Sequence, residues 1–421
     1  MTDTVSLSEI PDAGNDLEDY VAALFQASGY YVEKSLIERD PDDVLELDIV
    51  ASKYDQGDVR RVLAEVKGGG WGYPDIFKIV GWMKYLGIRE GGFLVKKPDE
   101  HLSQIRERVA KLGVTLAQFD DFSTASEVFA EAGLGTPRSA NLVELWRFSY
   151  AAERALVAAL NNRFKSDKDR QGPREARGYH RLINDGTFFA QSPEESLRLL
   201  YDAYIQHPKF TAANAAEIDG HGYMPQGGGE QSGSLREALR SGAHPYLQGC
   251  MYLDHRARLA ILKAATDHII QSPKEGGLQT IWDLPASLQS AIQWLREQPT
   301  FWQYVTFWQQ LLWGWGGFIL EERLNDEYAW MATCSGIPER EVPTALQAFD
   351  KFFPLANGWF RTVGWSSVKQ LVLMPTAFKG LGAHYRREQY EEKDFRRLAP
   401  SGYSANDLAS WNNHAVEFLS K

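Results

Sequence analysis

Asp48, Glu65 and Lys67 are the residues of this chain whose types and spacing could do chemistry. They lie in the stretch 44–70, which reads VLELDIVASKYDQGDVRRVLAEVKGGG. Two carboxylates brought together repel, and a hard divalent cation such as Mg²⁺ relieves that repulsion through carboxylate and carbonyl oxygens. Asp48, Glu65 and the Val66 main-chain carbonyl form such a donor set. Lys67 stands two residues beyond Glu65 on the same strand face and brings an ammonium that can hold a water or balance charge on a phosphate. The chemistry expected of this set is metal-dependent cleavage of a phosphodiester, with Mn²⁺ as a substitute for Mg²⁺.

A hairpin must position these groups. The segments 44–54 and 59–67 are rich in Val, Leu and Ile, and Asp55-Gln56-Gly57-Asp58 between them is a polar, Gly-containing turn. Alternation puts Leu45, Leu47, Ile49 and Ala51 on one face with Val62, Ala64 and Val66, and Glu46, Asp48, Glu65 and Lys67 on the other. A turn centred on Gln56-Gly57 makes the numbers of facing residues add to 113, so Asp48 faces Glu65 and Glu46 faces Lys67. Facing Cβ atoms lie roughly 4.5–5.5 Å apart. The plainer reading of the same register is a solvated hairpin face with a Glu46–Lys67 pair.

The flanking elements follow from periodicity. A helix is expected over 16–28, with Leu17, Tyr20, Val21, Leu24 and Phe25 as its apolar stripe and Gly29 as its stop. Glu18 lies at the edge of that stripe. It is open to two readings, a capping-box partner of Asn15 or a carboxylate turned towards the hairpin. A strand over 30–38, a polar break at Asp40-Pro41-Asp42-Asp43, the hairpin, a helix over 74–86, a strand over 92–96, a helix over 101–112 and a strand over 114–119 complete an αβββαβαβ order with a mixed sheet. Lys78 on the second helix is a candidate phosphate contact.

This element order, with Asp in the second strand and Glu-x-Lys in the third, resembles the PD-(D/E)XK, or restriction-endonuclease-like, nuclease superfamily, in the flavour of Mrr-type restriction enzymes and archaeal Holliday-junction resolvases. The resemblance covers about residues 16–122. It implies that Asp48 and Glu65 bind Mg²⁺, that Lys67 positions or activates the water, and that Glu18 supports the metal shell. Residue 47 is Leu, so the proline of the motif's name is absent, and the Gln that RecB-like relatives carry on the second helix is absent too. The implied function is a DNA-cleaving restriction or anti-phage defence effector. A subunit active only in a complex, a nuclease fold used as a binding module, and an RNase are the alternatives.

Composition sets the bounds. The two cysteines, Cys250 and Cys334, make neither a disulfide framework nor a zinc ligand set, and the acidic N-terminus is no signal peptide, which together point to the cytoplasm. The apolar run 301–320 contains Gln303, Gln309 and Gln310 and reads as a buried helix or helix–turn, with no membrane span. Residues 1–130 hold 14 Lys+Arg against 24 Asp+Glu, a poor balance for a free-standing DNA binder. Three segments are expected: a nuclease-type domain over 1–132, a linker over 133–140, and a mainly helical, Trp-rich recognition or partner domain over 141–421. Ten of the 13 tryptophans fall between Trp282 and Trp411, as a core or as a partner surface that includes self-association. The segment 163–181 has seven basic and three acidic residues; its Arg163, Lys165, Arg170, Arg174 and Arg177 are candidates for backbone contacts to nucleic acid. His180 with Arg174 or Arg177 has the spacing of an RNase-type pair.

Overall fold

The structure is a computed structural model. It describes residues 14–38, 45–96, 101–119, 122–166, 179–186, 188–190, 192–206, 245–272, 283–354, 358–363, 368–371 and scattered positions between 374 and 386. The loose lead-in expected over 1–14 lies, apart from Gly14, outside the described residues, as do the break at Asp40-Pro41-Asp42-Asp43 and the glycine-rich stretch 223–234. The chain divides into two compact units, and the change falls between Ala151 and Ala152.

The first unit follows the order α1 (Asn15–Ala27), β1 (Tyr31–Glu38), β2 (Leu45–Asp55), β3 (Asp58–Lys67), α2 (Tyr73–Leu86), β4 (Glu90–Val95), α3 (Leu102–Ala110), β5 (Val114–Gln118) and α4 (Phe122–Glu131), with α5 (Ala140–Ser166) running past the unit boundary. The five strands form one sheet in sequential order. β1, β2 and β3 pair antiparallel, and β3, β4 and β5 pair parallel, so the sheet is mixed.

The hairpin has the register that its turn predicts. Ile49 faces Ala64 and Asp55 faces Asp58, with Gly57 supplying the positive φ (83°) that the turn requires. The expected apolar face of β2 and β3 is buried throughout. The other face is buried as well at Val50, Ser52, Leu63 and Glu65, and α2 packs on it over β3 and β4. Gly91, beside Leu63 on β4, lies so close under α2 that a Cβ there would come within 2.6 Å of Met83 Sδ.

On α1, Leu17, Tyr20, Val21, Leu24 and Phe25 are at most 2% exposed. The N-cap is Gly14, with no side-chain cap hydrogen bond, so the Asn15–Glu18 capping box does not form. The helix tolerates this because each buried Leu, Val or Phe contributes about 1.5–3 kcal/mol, against about 1 kcal/mol for a missing cap. Residues after α4 stay with the first unit: the Arg138 N–H donates to the Ala27 carbonyl at 3.0 Å, and Arg60 of β3 donates to both Glu90 oxygens and to the Gly133 carbonyl.

The second unit is mainly helical, with long helices Pro193–Gln206, Pro245–Gln271, Ala286–Arg296, Leu324–Ser335 and Val342–Phe352. It also holds a small antiparallel sheet that the helical expectation missed: β6 (Phe318–Leu320), β7 (Phe360–Val363) and β8 (Val368–Leu371), in the order β6-β8-β7. The apolar run 301–320 is broken into a 3-10 turn, a short helix Tyr304–Gln309, a π-turn Gln310–Gly314 and then β6, with Gly316 and Gly317 at positive φ. No described helix is long and apolar enough to cross a membrane. Trp308, Trp313, Trp315 and Trp359 are buried in this unit, while Trp294, Trp302 and Trp330 are half-buried; Trp282, Trp365 and Trp411 lie outside the described residues.

Candidate active site

Asp48 sits where the sheet opens. β1 pairs with β2 at Lys34–Ile49 and Leu36–Leu47 but skips the position between them, and the β2–β3 pairing stops at Ile49–Ala64, one step short of Asp48 and Glu65. Ser35, opposite Asp48 on β1, has φ 50°, in the left-handed region that costs a non-glycine residue of order 1–3 kcal/mol. Backbone strain of this kind clusters at functional sites. The opening lets the Asp48 side chain do the work of the missing ladder: its Oδ2 accepts from the Val66 N–H at 3.0 Å.

Glu65 is 2% exposed, beneath α2. Its Oε1 takes Lys67 Nζ at 2.7 Å and Lys78 Nζ at 3.4 Å. Its Oε2 is buried with no hydrogen-bond partner. A buried carboxylate oxygen left in this state costs free energy until something polar meets it. The expected Glu46–Lys67 pair does not form: Glu46 is exposed, and Lys67 turns to Glu65 instead.

The electrostatics tie four charged residues together. Burial pushes the Asp48 carboxyl up to about 7, the Glu65 carboxylate pushes the same way, the Val66 N–H opposes it, Glu18 adds to the rise and Lys67 lowers it. Glu18, half-buried at the start of α1, therefore bears on Asp48 and is not spent on a cap. Lys67 loses some ammonium character to burial, but its bond to Glu65 and the charges of Glu65, Asp48 and Asp75 outweigh that and hold its pKa above the usual value. Lys67 is thus a cation at neutral pH, fit to donate and not to accept a proton.

Hard oxygen donors are what this site offers a metal: Asp48, the open Glu65 Oε2 and the neighbouring Val66 carbonyl. Among the described residues, no three His, Cys, Asp or Glu side chains are grouped closely enough to hold a metal by themselves. The site residues fit a cation bound by two carboxylates and a carbonyl, with water completing the shell, in the manner of Mg²⁺.

Three supporting residues escaped the reading of motifs. Asp75 accepts from the Gly72 N–H at 2.9 Å at the start of α2 and adds negative charge near Lys67. Trp82 lies under Lys78, whose Nζ is 4.0 Å from the ring centroid. Trp71 packs edge-on against Phe93, the β4 neighbour of Glu65. The signals existed in part, since Asp75 has N3 spacing from Gly72 and Trp82 is one helical turn from Lys78. Of the basic segment, Arg170, Arg174 and Arg177 lie outside the described residues, and Arg163 and Lys165 fall on α5 with side chains outside the described set. His180 is half-buried, and the arginines it was matched with are outside the described residues.

The half-buried Asp48 makes a prediction about stability. Its carboxyl titrates near 3.8 when unfolded and near 7 when folded, so the folded state binds the extra proton. The contribution of Asp48 to stability is then greatest below about pH 4, falls as pH rises through about 7, and levels off above, by ~4 kcal/mol at most. Asp48→Asn keeps an acceptor for Val66 and carries no charge. In EDTA it should melt several degrees above wild type at pH 8 and near it at pH 4. Parallel pH slopes for the two proteins in thermal melts would refute the assignment.

No family model, curated protein or solved structure matches this chain.

Proposed function

We propose that the chain is a metal-dependent nuclease that hydrolyses phosphodiester bonds of DNA at the Asp48–Glu65–Lys67 site, a cytoplasmic prokaryotic restriction or anti-phage defence effector with a helical partner or recognition unit. The observation that carries this reading is the buried, unpartnered Oε2 of Glu65 beside the Asp48 carboxyl, which burial first and the Glu65 charge second push upward. A mixed five-stranded sheet in the αβββαβαβ order supports it, because that order brings Glu-x-Lys next to the acid of the preceding strand.

Asp48 and Glu65 would hold the cation, with the Val66 carbonyl as third ligand. When bound, a divalent cation supplies Lewis-acid polarisation of a phosphate oxygen and makes water more acidic. Lys67 donates to the incoming phosphate or to the attacking water while Glu65 fixes its position. Lys78, half-exposed beside the same carboxylate, can meet the next phosphate along the strand. Glu18 adds negative charge that favours a bound cation.

The test is wild type against Asp48→Ala on plasmid, single-stranded DNA and RNA, each with Mg²⁺, Mn²⁺ or EDTA. Metal-dependent cleavage of DNA that the variant loses is the expected result. Cleavage that survives in the variant or in EDTA overturns the site. Cleavage of RNA alone makes the chain an RNase. The excess of 24 acidic over 14 basic residues in 1–130 favours a second reading, a subunit that cuts only with a partner, in which case activity appears on adding neighbouring gene products.

A further inference from the structure

The outer face of α2 is unusual for this molecule. Phe77 is 58% exposed and Tyr85 62%, and the other exposed large apolar side chains among the described residues, Leu112 at 41% and Ile205 at 53%, are aliphatic. Phe77, Gly81 and Tyr85 recur at four-residue spacing and share one side of the helix. A Cβ on Gly81 would meet nothing within 4 Å, so the space between the two rings is open. Along the axis the rings are about 12 Å apart, a span that three to four nucleotides cover at about 3.4 Å per step. Tyr73 lies tilted at 31° beside Phe77 with 6.1 Å between centroids, and the Tyr85 hydroxyl donates to Glu38 at 2.8 Å, which holds that ring in place. Lys84 is exposed on the same helix, and Lys78 reaches from it to Glu65.

We propose that this face is a stacking platform for unpaired bases, so that the neighbouring site takes single-stranded or locally unpaired nucleic acid. Rings stack on the faces of bases, and in a duplex those faces are already covered by neighbouring base pairs. The phosphate attraction that duplex binders rely on is weak where residues 1–130 hold 24 acidic and 14 basic residues, which favours an occupant that can also stack on the rings. A protein–protein core on this face is disfavoured, because lysines are depleted from such cores and Lys78 and Lys84 flank the rings. That the occupant of this face is nucleic acid rests on the nuclease reading.

Fluorescence anisotropy on the full chain in EDTA separates the platform from that reading. The probes are labelled single-stranded DNA, single-stranded RNA and duplex DNA of equal length. Phe77→Ala/Tyr85→Ala should weaken single-strand binding by about tenfold or more per ring and leave duplex binding unchanged, while Phe77→Trp/Tyr85→Trp restores it. Equal single-strand affinity of wild type and the Ala variant overturns the proposal, as does equal loss on duplex. So does a wild-type dimer that the Ala variant dissociates in sedimentation with no change in nucleic-acid binding, which would make the face a self-association surface. Plasmid cleavage without ring-dependent single-strand binding sinks the platform and leaves the nuclease; ring-dependent binding without cleavage does the reverse.

Discussion

Glu65→Gln and Lys67→Ala should each reduce metal-dependent cleavage by about 10²–10³-fold or more, with the fold retained. Glu65→Gln keeps the shape of the side chain and an oxygen for the lysines, but removes the charge that a cation needs and turns one carboxylate oxygen into an amide. The Gln side chain no longer holds Lys67 by a charge-assisted bond at 2.7 Å, so that ammonium also loses its fixed position. Lys67→Ala leaves Glu65 with Lys78 at 3.4 Å as its remaining ammonium, which limits the structural damage. Removing a donor aimed at developing charge costs rate, whereas Lys67 is partly exposed and Glu65→Gln leaves a hydrogen-bonding side chain of the same shape in the buried position, so the two effects separate. Single-turnover cleavage and far-UV circular dichroism on the same preparations check this. Wild-type rates in either variant would sink the site. A rate lost together with the dichroism would show that Glu65 and Lys67 hold the sheet and have no part in chemistry.

The hairpin was legible because its signals are local. Period-two alternation and one Gly-containing turn are enough to set the register, and the register alone brings Asp48 to Glu65. The partner of Lys67 was not legible from that register: Glu46 directly faces it, but the sheet opens at Asp48 and Lys67 turns along its own strand to Glu65. Lys78 reaching Glu65 across α2 is a tertiary fact with no sequence period behind it. Glu18 was ambiguous because Asn15 has the spacing of a cap for a helix starting at 16; with Gly14 as N-cap and Asn15 inside the helix, Glu18 is released from capping and bears on Asp48. In the second unit the amphipathic helices show themselves by their stripes, whereas β6, β7 and β8 are three or four residues long, too short for alternation to register. The Trp-rich run 301–320 reads as a buried helix or helix–turn, and the turn falls at its adjacent glycines; the π-turn before them and the short strand after them have no signal in the sequence.

Glu327→Ala should destabilise the second unit by about 3–5 kcal/mol. Glu327 and Arg386 are both completely buried, with Arg386 Nε 3.3 Å from Glu327 Oε1. Arg386 also donates to the Trp315 carbonyl at 2.7 Å and the Phe318 carbonyl at 2.8 Å, on either side of the glycine pair. Glu327 Oε2 accepts from Trp315 Nε1 at 3.3 Å and from the Leu320 N–H at 3.4 Å. One ion pair thus gathers the irregular backbone between the π-turn and β6, where regular hydrogen bonding stops. The π faces of Phe318 and Trp315 lie against the guanidinium, at 3.7 Å and 5.1 Å, and leave it no water. Losing Glu327 strands a buried cation, and losing Arg386 strands a buried carboxylate and two carbonyls, so Arg386→Met should cost at least as much. The double variant Glu327→Met/Arg386→Met should cost less than the two single changes added together, because no charge is left uncompensated. Tryptophan fluorescence reports this unit, since ten of the 13 tryptophans lie between Trp282 and Trp411. Denaturant titrations that show each single change costing under about 1 kcal/mol would place the pair in contact with water, and strictly additive costs would show that the two residues do not act as a pair.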